Sequence, residues 1–453
     1  MKPTALQFPY REHSAELFAR LAGRPWSAFL DSGRPGSMEG RYDIMTSDPH
    51  SWLLTHGATT TLVTPEGESE SSEDPFSLLQ RLLGVQLEPL RGIPFYGGAI
   101  GWFGYDLARR IERLPSLAEH DAAAAEMAIG IYDWALVVDH QRRRSWVVGV
   151  GDAPRQRRPW LLEQQRQGGR HTDPFATHGA LLCDISHDDY LHAFARIQAY
   201  IRAGDCYQVN FARRFSINAE GDPWPAYLRL RELSAAPYAA YLNTPGCCVL
   251  SSSPERFLSC RDGRVETRPI KGTAARGATV EADRRLAEAL QQSPKDRAEN
   301  LMIVDLLRND IGKVCVPGSV EVPELFKLES FSRVHHLVST VQGSLADGES
   351  SLSLLRACFP GGSITGAPKL RAMQIIEELE PYRRGLYCGA IGYIGYDGDM
   401  DTNIAIRTLQ IAQSRASFWA GGGIVADSDP EQEYQETYHK GAALIDLLQQ
   451  ARR

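Results

Sequence analysis

The chain has 453 residues, a formal net charge of -7 and 43% hydrophobic residues, which describes a globular protein able to bury a large core. The acidic balance argues against a nucleic-acid surface, because such a surface needs a basic stripe. No apolar run approaches the ~18–20 residues of a membrane-spanning helix, so a membrane protein is also disfavoured.

The eight cysteines are scattered and include no C-x-x-C pair, so the sequence predicts neither a zinc site nor a disulfide framework. Residues 1–10 lack a charged segment followed by an apolar core, and we therefore expect no signal peptide. A reducing compartment fits both observations. We expect the protein to be cytoplasmic.

The first part of the chain contains short runs that are typical of strands. Phe95–Asp106 is glycine-rich and apolar, which predicts a buried strand with close backbone neighbours. Ile129–Asp139 is rich in branched and aromatic residues, and Arg144–Val150 follows it after a polar turn. The two runs together predict a hairpin.

The composition changes between about residues 151 and 180, where Gly168-Gly169 and Asp173-Pro174 interrupt the chain. This stretch is the best candidate for a linker. We therefore divide the chain into an N-terminal subdomain, 1–175, and a catalytic region, 181–453. We expect the two to form one intertwined unit.

Helices and further strands follow in the second part. Ser186–Asp189 is a candidate cap for a helix that Gly204 ends. Ala298–Val314 is a nearly apolar helix, and a last helix begins near Pro430 with Ser428 and Glu431 as a possible cap pair. Because strands and helices mix without regular βαβ order, the pattern favours an α+β fold with antiparallel sheets.

A lysine lies in an unusual position in the middle of the chain. Lys271 occupies a bend bounded by Pro269 and Gly272, soon after the carboxyl group of Glu255. Taken alone, a lysine in a tight bend is usually a solvated surface residue. If this bend faces carboxylates of other elements, one pocket would hold an amine nucleophile and a carboxyl acid/base.

Three further carboxylates are candidates for a metal site. Glu299 opens the apolar helix, and Glu433, Glu436 and Lys440 share one face of the last helix through spacings of three and four. Surface Glu-to-Lys pairs with this spacing are common, so ordinary surface decoration remains an alternative. Oxygen donors without a Cys/His cluster would suit Mg²⁺.

Two glycine-rich segments could bring backbone N–H groups to an anionic ligand. Gly361–Lys369 is a turn that leads into a helix, but it lacks the Lys-Ser/Thr pair of a nucleotide P-loop. Gly421–Gly423 is the second such segment. For both, a purely structural turn is an equally good interpretation.

Nine ordered strings carry a family resemblance. They are GDCYQVN, SSSPERF, TRPIKGT, DRAENLMIVDLLRND, HHLVST, FPGGSITGAPK, CGAIGYIGYDG, IRT and AGGGIVADSDPEQEYQET. In this order they resemble the chorismate-utilising enzymes over about residues 185–450. The resemblance implies two antiparallel sheets packed face to face with helices outside.

Two positions distinguish the branches of this family. The water-adding members of the family resemble one another in having a lysine at the position of Gln208 in this chain. The glutamine at this position disfavours water as the nucleophile. Anthranilate-forming members resemble P-I-A-G-T at the bend, whereas this chain has Lys271. That lysine resembles the nucleophile of the members that aminate chorismate at C4.

The resemblance implies a Mg²⁺-dependent amination of chorismate by ammonia to 4-amino-4-deoxychorismate, in 4-aminobenzoate and folate biosynthesis, through a covalent adduct on Lys271. The alternative within the family is anthranilate formation for tryptophan biosynthesis. An alternative of another class is a non-catalytic, tryptophan-binding partner of an amidotransferase.

The resemblance also assigns roles to individual residues. Lys271 and Glu255 are implied to be catalytic, and Glu299, Glu433 and Glu436 to bind Mg²⁺. Substrate binding is implied for Gln208, His336, Thr365, Gly366, Tyr393, Arg407, Gly421, Gly422, Gly423 and Lys440.

A second site and a partner are implied as well. A tryptophan pocket is implied for Ser32, Arg41, Tyr42, Pro237, Tyr238, Ala239, Ala240 and Tyr241. Asp31 departs from the usual Leu-Glu-Ser of that pocket, so we expect any bound tryptophan to be structural. The chain shows no glutaminase signature, and a separate glutamine amidotransferase subunit is the expected source of ammonia.

Overall fold

Two large antiparallel sheets with helices on their outer sides form the fold in a computed structural model, which describes residues 2–37, 40–121, 124–167, 172–330 and 334–452. The first twelve strands in chain order are β1 (Pro3–Phe8), β2 (Ser27–Asp31), β3 (Tyr42–Thr46), β4 (Ser51–His56), β5 (Thr59–Thr64), β6 (Gly67–Ser71), β7 (Gly98–Phe103), β8 (Met127–Tyr132), β9 (Trp134–Asp139), β10 (Arg144–Val150), β11 (Ala176–Cys183) and β12 (Gln208–Glu220). The strands that follow are β13 (Tyr238–Thr244), β14 (Cys247–Ser253), β15 (Arg256–Arg261), β16 (Arg264–Thr267), β17 (Ile270–Ala275), β18 (Glu321–Ser330), β19 (Val334–Ser344), β20 (Gly366–Ala367), β21 (Ala390–Gly395), β22 (Met400–Ile404), β23 (Thr408–Ala412) and β24 (Arg415–Ile424).

The helices lie between these strands and at the C-terminal end of the described chain. They are α1 (Ala15–Phe18), α2 (Pro75–Leu83), α3 (Ala153–Arg166), α4 (His187–Ala203), α5 (Pro223–Leu233), α6 (Val280–Gln292), α7 (Pro294–Gly312), α8 (Ser351–Cys358), α9 (Lys369–Leu379) and α10 (Pro430–Gln450). Among the residues with described coordinates, no helix is both long and apolar enough to cross a membrane.

The strand order interleaves the two parts of the chain. The first sheet runs β1-β10-β9-β3-β2-β13-β14-β23-β24-β12-β11, with β20 beside β12. The second runs β17-β19-β16-β15-β22-β21-β7-β8-β4-β5-β6, with β18 beside β19. Strands from before and after residue 175 therefore neighbour each other in both sheets, at β2/β13 and β7/β21. The predicted α+β fold with two antiparallel sheets is confirmed.

A large core packs α2, α7 and α8 against the second sheet, and another core lies between the two sheets. Ile44 and Val137 of the first sheet belong to one buried cluster with Trp102 and Ile391 of the second. Helices cover the other side of the first sheet through a second cluster that includes Trp224. Burial of apolar area at about 25 cal/mol per Å² makes these layers the main source of stability.

The predicted strand Ile129–Asp139 is two strands that belong to different sheets. β8 pairs with β4 and β7 in the second sheet, whereas β9 pairs with β3 and β10 in the first. The predicted hairpin is thus correct for its second half and wrong for its first. Every residue of both strands is buried, so no change of hydrophobic pattern marks the crossing at Asp133.

Local helix signals were mostly informative. Ser186 caps α4 by accepting a hydrogen bond from the Asp189 N–H, and Gly204 ends it with a φ of 81°. The cap of α10 is Asp429, not the predicted Ser428, because the Asp429 carboxylate accepts from the Gln432 N–H. The predicted linker contains α3, while Gly168-Gly169 lie outside the described residues.

Candidate active site

Lys271, Glu255 and Glu299 line one cavity of about 420 Å³. Each comes from a different element: Lys271 from β17, Glu255 from the bend before β15, and Glu299 from α7. The wall also includes Asn210, Lys295, His336, Ser363, Tyr387, Arg407, Trp419, Gly421, Gly423, Glu433, Glu436 and Lys440. Stretches that are far apart in the sequence thus converge on one volume.

The Lys271 side chain is half-buried, and its ammonium donates a hydrogen bond to the backbone carbonyl oxygen of Ser363 at 3.2 Å. Burial lowers the pKa of Lys271, while the carboxylates of Glu299 and Glu255 oppose that shift. From a reference pKa of about 10.4, neutralising a lysine at pH 7.5 costs about 4 kcal/mol. The observed burial reduces this cost and favours a nucleophilic amine.

Glu255 is buried beside this lysine, with 7% of its surface exposed. The Ser363 hydroxyl donates to Glu255 Oε1 at 3.1 Å. Burial raises the pKa of Glu255, and the Lys271 ammonium opposes the rise. A carboxyl group with a raised pKa retains its proton nearer to neutral pH, so it can act as a general acid.

Three more carboxylates face the cavity from two helices. Burial raises the pKa of both Glu299 and Glu433. Burial also acts on Glu436, but the Lys440 ammonium at 2.6 Å outweighs it, and the pKa of Glu436 is lowered. The negative charges of Glu299 and Glu436 repel each other, so the charge of Glu436 contributes to the raised pKa of Glu299. A divalent cation bound between them would reduce this repulsion.

Gly422 of β24 lies directly beneath the carboxylates of α10. A Cβ atom at Gly422 would be 2.9 Å from Glu433 Oε2 and 3.6 Å from Lys440 Nζ. The same position would be 3.8 Å from the carboxyl carbon of Glu436. The three charged groups therefore approach the strand at a point where there is no room for a side chain.

The donor set is suited to Mg²⁺. In the part of the chain that the structure describes, no three His, Cys, Asp or Glu side chains are close enough together to enclose a metal ion. Mg²⁺ does not need such an enclosure, because it keeps several waters and takes one or two protein carboxylates. Glu299 and Glu436 offer oxygen donors of this kind at the cavity wall.

Arg407 offers a positive charge to an anionic ligand in this cavity. The Arg407 side chain is exposed to the cavity and forms no ion pair with a described residue, and its backbone has a φ of 50°. Such a conformation is strained for a residue with a Cβ and is often found at functional sites. Burial and the charge of Arg407 lower the pKa of His336 to about 4, so the imidazole is neutral at neutral pH.

The sequence profile described as "chorismate binding enzyme" matches residues 40–446. The chain belongs to the chorismate-binding enzymes. It is accordingly a chorismate-utilising enzyme, and the cavity between β17, α7 and α10 is its candidate active site.

Relatives of this chorismate-binding enzyme cover its whole length. It is 48% identical over 453 residues to aminodeoxychorismate synthase component 1 of Klebsiella aerogenes, with 99% of this chain and 100% of that protein aligned. It is 41% identical over 457 residues to anthranilate synthase component 1 of Thermus thermophilus, with 98% of each aligned. The crystal structure of anthranilate synthase component I from Streptococcus pneumoniae matches with a TM-score of 0.80 at 31% identity, covering 89% of this chain and 92% of that chain.

Several substrate-binding residues predicted for this chorismate-binding enzyme do not line the cavity. The Thr365 hydroxyl is buried and donates to the carbonyl oxygen of Gly361 at 3.0 Å, so it holds the loop together. Gly366 pairs with β12 and Gln208 is buried behind Gly423. These residues are not part of the described cavity wall, whereas Gly421 and Gly423 belong to it.

A second, larger cavity of about 660 Å³ brings the predicted tryptophan-pocket residues together. Its lining includes Ser32, Arg41, Tyr42, Pro237, Tyr238, Ala239 and Ala240. Arg41 is ion-paired with Asp139 at 2.8 Å, and Asp31 accepts hydrogen bonds from Tyr227 and Arg231. Among the described residues, the linings of the two cavities have no member in common, so the larger cavity is separate from the one that holds Lys271.

Two residues were assigned to the wrong cavity or face. Tyr393 lines the larger cavity, packing edge-on against Phe95 with ring centroids 5.3 Å apart, and does not reach Lys271. Tyr241 points away from that cavity into an aromatic cluster with Trp224, because successive side chains of a strand alternate between its faces. In both cases the sequence indicated the strand but not its facing surface.

Ser363 was missed as a functional residue. It lies inside the glycine-rich turn that we interpreted through its backbone N–H groups alone, yet its carbonyl contacts Lys271 and its hydroxyl contacts Glu255. A hydroxyl residue among glycines, in a turn expected to approach a ligand, was the available signal.

Proposed function

We propose that this enzyme aminates chorismate at C4 with ammonia to give 4-amino-4-deoxychorismate, as a step of 4-aminobenzoate and folate biosynthesis. The observation that carries the proposal is the pairing of Lys271 and Glu255 across Ser363 in one cavity. The 48% identity to an aminodeoxychorismate synthase component 1 supports the same choice of reaction.

The first step forms a covalent bond between the enzyme and the ring. The neutral amine of Lys271 attacks C2, the ring double bonds shift, and the C4–oxygen bond breaks. Glu255 gives its proton to the departing hydroxyl, which leaves as water. The lowered pKa of Lys271 and the raised pKa of Glu255 both favour the protonation states that this step needs.

The second step reverses the shift of the double bonds. Ammonia attacks C4, the bond from C2 to the Lys271 nitrogen breaks, and the lysine leaves as a neutral amine. The new C4–ammonium group gives one proton to the Glu255 carboxylate, which restores the starting acid. Chorismate and ammonia are thereby converted to product and water, and no redox partner is required.

The charged groups of the cavity hold the substrate. Glu299 and Glu436 would bind Mg²⁺, with Glu433 beside them, and the bound ion would supply positive charge for a carboxylate of the substrate. Arg407 and Lys440 face the same volume and offer cations to the second carboxylate. His336, being neutral, can line the ring without adding repulsion to these cations.

The chain needs an external source of ammonia. The notation "component 1" in the names of its relatives supports a second subunit, and we propose a glutamine amidotransferase. We further propose that the larger cavity holds tryptophan in a structural role. Its wall combines an apolar part at Ala239 and Ala240 with charged groups such as Arg256 and Glu266, which suits an amphipathic amino acid.

Intact-protein mass spectrometry after exposure to chorismate and Mg²⁺, without ammonia, tests the nucleophile. We expect wild type to gain the mass of chorismate less one water, and Lys271→Ala to gain nothing. Lys295→Ala is the matched control, because Lys295 lines the same cavity and is expected to keep the adduct. An unchanged adduct on Lys271→Ala would exclude the assignment.

Anthranilate formation is the second candidate, favoured by the 41% identity to an anthranilate synthase component 1. Incubation with chorismate, Mg²⁺ and ammonium separates the two reactions, since only anthranilate is produced with loss of pyruvate and is fluorescent. Fluorescence without an added lyase would establish anthranilate formation. Tryptophan binding without any consumption of chorismate would instead identify a non-catalytic partner subunit.

A further inference from the structure

Arg213 is a buried cation that contacts α10, the helix that carries Glu433 and Glu436. It lies on β12, its side chain is 1% exposed, and it forms no ion pair with a carboxylate among residues 2–37, 40–121, 124–167, 172–330 and 334–452. An unpaired buried charge is costly, so its surroundings must compensate for the lost water. Those surroundings belong mainly to α10.

Aromatic rings supply most of that compensation. The Arg213 guanidinium carbon is 4.1 Å from the ring centroid of Tyr434 and 4.5 Å from that of Tyr438. Phe215 and Tyr190 complete the cage at 5.3 Å and 5.8 Å. A desolvated cation over several aromatic faces is favourable, and two of the four rings lie one turn apart on α10.

A hydroxyl group fixes the orientation of the guanidinium. Arg213 donates from Nε and Nη2 to Thr437 Oγ1, at 3.2 Å and 2.6 Å. Thr437 in turn donates to the carbonyl oxygen of Tyr434 at 2.7 Å. The guanidinium of Arg213 therefore contacts three residues that lie on one face of α10: Tyr434, Thr437 and Tyr438.

These contacts alternate along the helix with the residues of the active site. Glu433 precedes Tyr434, Glu436 precedes Thr437, and Lys440 donates to the carbonyl oxygen of Gly421 at 3.1 Å. Successive residues of a helix are about 100° apart around its axis, so the direction in which each side chain points depends on how the helix is rotated. A rotation of α10 would therefore move both carboxylates away from the cavity. The contacts of Arg213 oppose such a rotation.

We propose that Arg213 is a positioning residue that sets the rotation of α10, so that Glu433, Glu436 and Lys440 face the cavity. It touches neither substrate nor metal in this arrangement and acts through the helix that it holds. The inference rests on the proposed function, because that function makes the orientation of these carboxylates important.

Mg²⁺ affinity of the full-length protein, measured by titration calorimetry in the absence of chorismate, tests the inference. We expect Arg213→Met to weaken Mg²⁺ binding by about tenfold, as is usual for residues that orient metal ligands. Thr437→Val should also weaken Mg²⁺ binding, by less than Arg213→Met, because it removes the hydrogen-bond acceptor of Arg213 without changing any charge.

Arg157→Met is the matched control. Arg157 also stacks on two aromatic rings, those of Trp134 and Trp160, but it lies on α3 away from the cavity. Its variant should lose stability in thermal unfolding and keep the wild-type Mg²⁺ affinity. If Arg157→Met weakened Mg²⁺ binding equally, a general loss of stability would explain the effect and the inference would fail.

The outcomes separate this inference from the proposed function. Wild-type protein that binds neither Mg²⁺ nor chorismate would refute the proposed function. If wild type binds Mg²⁺ and Thr437→Val binds it with the same affinity, the positioning role is refuted. This test holds even if Arg213→Met fails to fold, or changes the Mg²⁺ affinity only because it removes a charge. Weakened binding in Thr437→Val, with Arg157→Met unaffected, would support it.

Discussion

Lys271 and Glu255 share one environment that shifts their pKa values in opposite directions. Burial lowers the pKa of the amine and raises the pKa of the acid, so it disfavours the charged form of each. Their mutual attraction limits both shifts. The balance leaves a larger fraction of neutral lysine and protonated glutamate than either side chain would have in water.

Ser363→Ala should change the pH dependence of the reaction. The Ser363 hydroxyl stabilises the charged form of Glu255, so its removal raises the pKa of Glu255 further. Glu255 then keeps its proton to higher pH, and we expect the falling limb of kcat/KM that reports loss of this proton to move to higher pH.

The profile of kcat/KM for chorismate against pH, with ammonium as nitrogen donor, measures this shift. Ser363→Thr is the control, because it keeps a hydroxyl at the same backbone position and should retain a profile close to that of wild type. A limb that stays in place in Ser363→Ala would show that the hydroxyl does not govern the acid.

β24 and α10 pack closely against each other, and this packing positions the charged residues of α10. β24 carries three consecutive glycines where α10 presents its charged face, and a Cβ atom at Gly441 of the helix would lie only 3.1 Å from the Phe418 ring of the strand. Small residues on both sides allow the helix to approach closely. The close approach is what brings Glu433 and Glu436 to the cavity.

Gly422→Ala should affect metal binding more than folding. The added methyl would meet Glu433 Oε2 at 2.9 Å, and this atom is the flexible end of a side chain that can move. We expect a loss of stability at the low end of the ~1–3 kcal/mol typical of overpacking, together with about tenfold weaker Mg²⁺ binding.

Thermal unfolding and calorimetric Mg²⁺ titration of the same samples measure the two effects. Gly312→Ala is the matched control, because a Cβ there has no neighbour within 4 Å and Gly312 ends a helix. It should be neutral in both measurements. Wild-type Mg²⁺ affinity in Gly422→Ala would show that the position of Glu433 is unimportant for the metal.

On the scale of the whole molecule, neither part of the chain contains a complete sheet. β21 lies between β22 and β7, and β13 lies between β14 and β2. The catalytic region 181–453 therefore relies on strands from the N-terminal part to cover two of its strand edges. Exposed edges of this kind favour aggregation over folding.

A fragment of residues 181–453 should accordingly fail to fold alone. We expect it to lack the near-ultraviolet circular dichroism of packed aromatic residues and to show no cooperative thermal transition. The full chain, measured in parallel, should unfold in one transition. A fragment that unfolds cooperatively and binds chorismate would demonstrate an independent domain.

The family, the fold class and the residue types of the site were predictable from the order of amino acids alone. Capping residues such as Ser186 and Gly204 act within a few residues of themselves, so their effect is visible locally. The irregular order of strands and helices favoured an α+β fold, and nine motifs in a fixed order carried the resemblance that implied two sheets packed face to face. Lys271, Glu255, Glu299 and Glu436 were named before the structure placed them in one cavity.

The face that each strand or helix turns toward the cavity was not predictable without its packing partners. Side-chain periodicity divides a strand into two faces, but the neighbouring sheet determines which of them is functional, as Tyr393 and Tyr241 show. The split of Ile129–Asp139 between two sheets likewise depends on partners far along the chain. Ser363 and Arg213 gain their proposed roles from such distant contacts, because the groups they touch are brought together only by long-range strand and helix packing.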